Sequence, residues 1–199
     1  MEHLKKSKII MQMSNSIKLA ISDFDGTLVD TFNANLESYQ KAFELAGVRF
    51  SKEIYKRNFG VRFDKLMDAF DIKDENTKAL IKEKKAEFYK DCLGMISLNK
   101  SLLSILSFFK THGIMVALAS TASRRNLLMV LKEFHIDDLF DIIVSGEDVK
   151  NGKPAPDVYL KVLENANVRA ENALAFEDSI IGQESAKAAN IKCLKVQPF

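Results

Sequence analysis

The sequence predicts an α/β protein: a parallel sheet of about five strands covered by helices on both faces, with a helical block inserted after the first strand. Three observations carry this. Short apolar runs at 17–21, 114–119, 142–144, 173–176 and 193–196 are the candidate strands. From residue 100 onward they alternate with amphipathic segments of helical rhythm, the pattern of βαβ units. Between the first run and residue 97 the rhythm is helical throughout, with no strand-like run.

The elements follow in order. Residues 1–16 are basic and Met-rich and read as a loose extension, with an apolar patch too short for a signal peptide. The first strand ends in Ile21-Ser-Asp-Phe-Asp-Gly-Thr27. Phe32, Leu36, Tyr39 and Phe43 recur at helical spacing, and Gly47 stops that helix. Ser51 caps a short helix ending near Phe59, and Asp64–Phe70 form another. Lys78–Leu93 reads as a long charged helix that turns Leu80, Ile81, Lys84, Phe88 and Cys92 toward one side, with Gly94 as its end. The predicted division is therefore an extension (1–16), a sheet core (17–30 and 98–199) and a helical cap (31–97). In the second core part, helices at 100–112 and 125–134, after Pro156 and near 182–189 separate the remaining strands.

The 199 residues suit one domain with a modest insertion. A net charge of +2 without a basic stripe gives no support for a nucleic-acid partner. No apolar run reaches membrane-spanning length. Cys92 and Cys193 lie far apart, outside any Cys/His cluster, and read as buried thiols of a cytoplasmic protein. The chain is expected to be a monomer or a weak homodimer.

In open parallel sheets, ligands bind beyond the carboxyl ends of the strands. The residues at those ends are Asp23 and Asp25, then Ser120 and Thr121, then the loop leading to Lys153, then Glu177 and Asp178. Asp23 and Asp25 are two apart, so a strand directs both to one side, and Gly26 permits a sharp turn after them. Converging carboxylates suit a hard divalent cation such as Mg²⁺. Ser120, the amides that follow it and Lys153 suit an anion. A cation site, anion donors and a carboxylate together equip a site for phosphoryl transfer.

These residues resemble the motifs of the haloacid dehalogenase superfamily, in the helical-cap subfamily that includes phosphoglycolate phosphatases and β-phosphoglucomutases. Asp23-Phe-Asp-Gly-Thr27 matches its DxDGT motif, Val116-Ala-Leu-Ala-Ser120 the strand ending in Ser or Thr, Lys153-Pro-Ala-Pro156 the KPxP lysine, and Glu177-Asp-Ser-Ile-Ile-Gly182 the EDSxxG motif. Four motifs in order are far more specific than one DxD. The resemblance implies a Rossmann-like core. It also implies a Mg²⁺-dependent phosphatase acting on a small phosphorylated metabolite, of sugar phosphate or phosphoglycolate type, through an aspartyl-phosphate. Asp23 is then the nucleophile, Asp25 the acid and base, Ser120 and Lys153 the phosphate ligands. Asp23, Asp25 (through its carbonyl), Asp178 and Glu177 are the implied metal ligands. Gly26, Thr27 and Thr121, with Arg62 and Lys84 of the insertion, are the candidate substrate contacts.

Two other functions compete. A β-phosphoglucomutase-like phosphomutase is weakened by Asn35, which stands where the mutases carry a cap histidine. A non-catalytic binding protein on the same fold is weakened by the presence of every chemical residue.

Overall fold

The structure is a computed structural model, and it describes residues 17–197. The expected extension at 1–16 lies outside the described residues. Five strands form one parallel sheet: β1 (Leu19–Ser22), β4 (Met115–Ala119), β5 (Ile142–Val144), β6 (Ala173–Glu177) and β7 (Lys192–Lys195), in the order β5-β4-β1-β6-β7. The strand order reverses at β1, so the crevice between the ends of β1 and β6 is where such a sheet binds ligands.

Each central strand is buried on both faces, and its side chains divide by alternation. Ala20, Val116, Leu118, Leu174 and Phe176 pack against α5 (Lys100–Thr111) and α6 (Arg124–Glu133) through Leu102, Leu106, Leu127 and Val130. Leu19, Ile21, Ala117, Ala119 and Ala175 face α7 (Asp157–Ala166) and α8 (Ile180–Ala188) through Val158, Tyr159, Val162 and Ala186. Each large apolar side chain so buried contributes about 1.5–3 kcal/mol. The alanines on the second face let its helices approach closely.

The insertion comprises α1 (Phe32–Leu45), α2 (Lys52–Arg57), α3 (Phe63–Ala69) and α4 (Glu75–Asp91). Its own core holds Leu36, Phe43, Tyr55, Met67 and Ile81. The chain leaves and re-enters the sheet region through a two-stranded antiparallel ribbon, β2 (Val29–Asp30) with β3 (Ser97–Leu98). Such short strands have no periodicity to read, so the sequence showed no strand there.

Three further expectations are corrected. The long helix begins at Glu75, because Asp74 caps it by accepting from the Thr77 amide at 2.7 Å. It ends at Asp91, and Gly94 lies within a 3₁₀ turn, Leu93–Met95. The buried positions of the long helix are Ile81, Lys85 and Tyr89, spaced by four, rather than the stripe through Lys84 and Phe88. Of the two cysteines, Cys92 is buried but Cys193 is only half-buried, because β7 is an edge strand.

Candidate active site

The site starts where β1 ends. The Asp23 amide donates to the Phe176 carbonyl at 3.0 Å, which ties the residue to β6. Phe24 drops into the core, and Gly26, at φ +87°, turns the chain so that its amide meets the Val29 carbonyl at 2.8 Å. Glycine is needed here for two reasons: the left-handed φ, and space, since a Cβ would lie 2.6 Å from an Asp178 carboxylate oxygen.

Asp23 and Asp25 share the cleft but have different partners. Asp23 accepts from Lys153 Nζ at 2.6 Å. Asp25 accepts from the Thr31 hydroxyl, and it alone of the pair also lines the cavity under the insertion. Thr31 precedes α1 without capping it; its hydroxyl serves Asp25 instead, while Asp30 accepts from the Phe32 amide. Burial pushes the Asp25 carboxyl up to about 6, against the opposing Thr31 hydrogen bond; the Asp23 charge adds to the rise, and Lys85 and Lys153 oppose it. That value suits a group that must both give and take a proton near neutrality.

Lys153 sits in a cage of acceptors. Its side chain is 4% exposed and meets Asp23, Glu177 and the Ala119 carbonyl at 3.2 Å. Burial would lower its pKa, but the Asp23 and Glu177 charges outweigh that and hold it well above the usual lysine range. Glu177 is fully buried, and both of its oxygens are engaged: Oε1 by Lys153 and by the Tyr159 hydroxyl at 2.7 Å, Oε2 by the Ser179 hydroxyl at 3.3 Å. Burial first, then the Asp23 charge, pushes its carboxyl upward, and Lys153 holds it down. Tyr159 carried no signal in the sequence beyond the apolar spacing of its helix.

Asp178 accepts from the Thr27 hydroxyl at 2.7 Å, and its amide donates back to the same oxygen at 3.0 Å. Burial raises its pKa and the Thr27 bond lowers it. Asp23, Glu177 and Asp178 each place one carboxylate oxygen within 4.8 Å of the others. Among the described residues Lys153 is the one cation that pairs with these three close acids, so the donor set fits a hard divalent cation.

The remaining candidates are distributed as follows. Ser120 is buried and its Oγ accepts from the Ala122 amide at 3.0 Å. Thr121 lines the cleft and donates to the Gly60 carbonyl at 2.8 Å. Arg62 lines neither the cleft nor the cavity; it reaches the carbonyls of Val149 and Lys150. Lys84 points to Glu87 at 2.9 Å and Glu83 at 3.6 Å, outside the cavity.

Lys85 occupies the cavity instead. It is 6% exposed, its Nζ lies 4.0 Å from the Tyr89 ring centroid and 5.2 Å from that of Tyr39, and no ion pair involves it among the described residues. Desolvation lowers its pKa to about 8, with Asp25 the main opposing charge. The cavity measures about 420 Å³ and also presents Asn35, Tyr55, Asn58 and Asn126. Asn126 Oδ1 is buried without a hydrogen-bond partner among the described residues. One residue of helix phase hid Lys85 from the sequence pattern.

A carboxylate held by a buried lysine, a second carboxyl raised to about 6 and an acidic cluster whose donors fit a divalent cation, all at the switch point of a parallel sheet, fit a hydrolase of the phosphoryl-transfer type. The chain belongs to the haloacid dehalogenase-like hydrolase family, whose model matches residues 20–196. It is 36% identical over 182 residues to a phosphorylated carbohydrates phosphatase of Thermotoga maritima, covering 88% of this chain and 83% of that protein. Its fold matches CbbY from Rhodobacter sphaeroides, solved in complex with phosphate, at TM-score 0.84 and 26% identity, over 92% of this chain and 87% of the other. It also matches a structure described as a putative β-phosphoglucomutase from Thermotoga maritima, at TM-score 0.67 and 34% identity, over 92% and 87% of the two chains.

Proposed function

We propose that the protein hydrolyses small phosphate monoesters, with phosphorylated sugars as the substrate class. The observation that carries this is the Asp23–Lys153 pair, in a cleft that shares Asp25, Gly60 and Thr121 with the tyrosine-lined cavity. The same class stands in the name of the Thermotoga relative, and CbbY has been crystallised with xylulose 1,5-bisphosphate.

In the first step an Asp23 oxygen attacks phosphorus, the bond from phosphorus to the leaving oxygen breaks, and Asp25 gives that oxygen its proton. In the second, Asp25 takes a proton from water, the water oxygen attacks phosphorus, and the bond to Asp23 breaks. Lys153 and Ser120 hold phosphoryl oxygens, and the Glu177–Tyr159 pair keeps Lys153 in place. Asp23 and Asp178, with the Asp25 carbonyl and Glu177 beside them, would hold Mg²⁺. When bound, the cation neutralises charge on the transferring phosphoryl group. Such chemistry on a free metabolite fits a cytoplasmic enzyme, monomeric or weakly dimeric; no described helix is long and apolar enough to cross a membrane.

The test is phosphate release from a panel of sugar phosphates and p-nitrophenyl phosphate, with and without Mg²⁺, alongside Asp23→Asn. Release that depends on the cation and falls at least about 10³-fold in the variant is expected. Release that ignores both sinks the mechanism. Phosphomutase activity is a weaker reading, because the Asn35 amide that lines the cavity cannot take up or release a proton near neutrality. Conversion of β-glucose 1-phosphate with little phosphate release would reverse that preference.

A further inference from the structure

Arg62 spans from the insertion to the sheet core. It leaves the α2–α3 loop, and its Nη1 donates to the Val149 carbonyl at 3.1 Å and to the Lys150 carbonyl at 2.9 Å, while its Nε faces Asp64 at 3.4 Å. Its aliphatic stem fills the space above Gly152: a Cβ there would lie 2.5 Å from Arg62 Cδ and 2.7 Å from Cγ. Two residues earlier in the same loop, the Gly60 carbonyl accepts from Thr121.

Both contacts fall on the phosphate-binding side of the site. Thr121 follows Ser120 directly, and Gly152 precedes Lys153. The 145–153 loop is braced near its two ends, by its own Asp148 and by Asp157 of α7. Asp148 accepts from the Ser145 amide and hydroxyl, both at 2.7 Å, and Asp157 accepts from the Asn151 amide at 3.0 Å. The carbonyls of Val149 and Lys150 lie between these pins, and Arg62 of the insertion is what holds them.

We infer that Arg62 is a positioning residue: seated on the 149–152 backbone, it couples closure of the helical insertion to the placement of Lys153, and so to phosphoryl binding. The guanidinium touches no reacting atom. It acts by fixing the loop from which Lys153 reaches Asp23. This rests on the phosphatase reading above and adds to it that the insertion orders the anion site as well as enclosing the substrate. A substrate contact, the role expected of Arg62 from sequence, has a different signature. It is felt in proportion to how much of the cavity a substrate fills, whereas a defect in Lys153 placement is felt by any phosphate.

A double-mutant cycle tests it. Arg62→Ala removes the clasp. Gly152→Ala evicts the Arg62 stem by occupying its space, at a position whose φ is not in the left-handed region. Each is expected to lower kcat/KM about tenfold on p-nitrophenyl phosphate as well as on sugar phosphates, and to weaken inhibition by inorganic phosphate similarly. The double variant is expected to be no worse than either single one, since both break one contact. Arg62→Lys, which can still reach one carbonyl, is expected to recover part of the loss. Amide hydrogen exchange across 147–153 is expected to quicken in both single variants. Additive effects, a silent Gly152→Ala, or a loss confined to large substrates with phosphate inhibition intact would overturn the inference. If the wild-type protein released no phosphate from any ester, the phosphatase reading would fall. The exchange measurement would still decide whether Arg62 orders the loop.

Discussion

On the sheet side of the cleft the buried lysine is paired: Lys153 lies between Asp23 and Glu177, and the Tyr159 hydroxyl donates to the same Glu177 oxygen. On the helical side, Lys85 is buried almost as deeply among tyrosine rings, and among the described residues no ion pair involves it. The first arrangement compensates the buried lysine within the protein itself. The second leaves a cation poorly solvated until something anionic or hydroxyl-rich enters the cavity. On the phosphatase proposed above, the first side would carry chemistry common to many substrates and the second would choose among them. The two are joined by Asp25, whose carboxyl faces both.

The same substitution applied to each lysine should therefore give opposite results. Lys153→Met strands Glu177 and Asp23 in a dry site, and breaking a buried pair in this way costs about 3–5 kcal/mol. Its sign with pH follows from Glu177. That carboxyl is already pushed up by burial and by Asp23, and without Lys153 it rises further. A raised carboxyl contributes stability at low pH that is lost as pH climbs through the folded value. The deficit of Lys153→Met is thus expected to be smaller at pH 5 than at pH 8, as read by urea denaturation at the two values. A variant as stable as wild type at pH 8 would show that the network is not the fixed frame described here.

Asp25→Asn comes next in size. Loss of a positioned acid and base lowers the rate by about 10²–10⁴-fold. With its pKa near 6, the protonated form that serves the leaving oxygen declines above that pH, so the wild-type kcat/KM profile is expected to fall on the alkaline side of about 6. The variant is expected to lose that limb and keep its fold. A limb that persists would assign the acid to another group.

How much could be read from the sequence divides along the same line. The strand ends were legible because alternation and motif spacing fix their side: Asp23, Asp178 and Lys153 converge as the pattern requires, and Glu177 joins them through Lys153. The strand runs were placed to within about two residues, since a parallel sheet buried on both faces writes continuous apolar stretches. The cavity was not legible. Lys84 and Lys85 stand about 100° apart on α4, and a stripe through Ile81 continues at +3 or at +4, so residue spacing did not tell which lysine faces inward. Arg62 was legible as a candidate substrate contact but not as a clasp, because its acceptors are backbone carbonyls 87 and 88 residues away. Tyr159 and the Thr31–Asp25 bond depend on tertiary contacts that residue spacing does not encode.

Lys85→Met has the smallest expected effect on stability and separates the two sides best. The Lys85 pKa is depressed from 10.5 to about 8, so its charged form is disfavoured by folding. For a depressed lysine the folded state binds fewer protons than the unfolded one between those two values. Stability then rises with pH across that window, and the burial cost is largest below pH 8. At 1.36 kcal/mol per unit, less what the tyrosine faces return, that cost is about 1–3 kcal/mol at pH 7. Methionine keeps the length and volume without the charge. The variant is expected to unfold at the same temperature as wild type or higher at pH 7, with the difference shrinking as pH rises from 8 to 10.5. Its activity is expected to fall most on substrates that fill the cavity and least on p-nitrophenyl phosphate. Because Lys85 is one of the charges holding the Asp25 carboxyl down, the alkaline limb of kcat/KM is expected to move upward in the variant. A destabilised Lys85→Met with an unmoved limb would mean that Lys85 is satisfied within the fold. The contrast between the two sides of the cleft would then lose its physical basis.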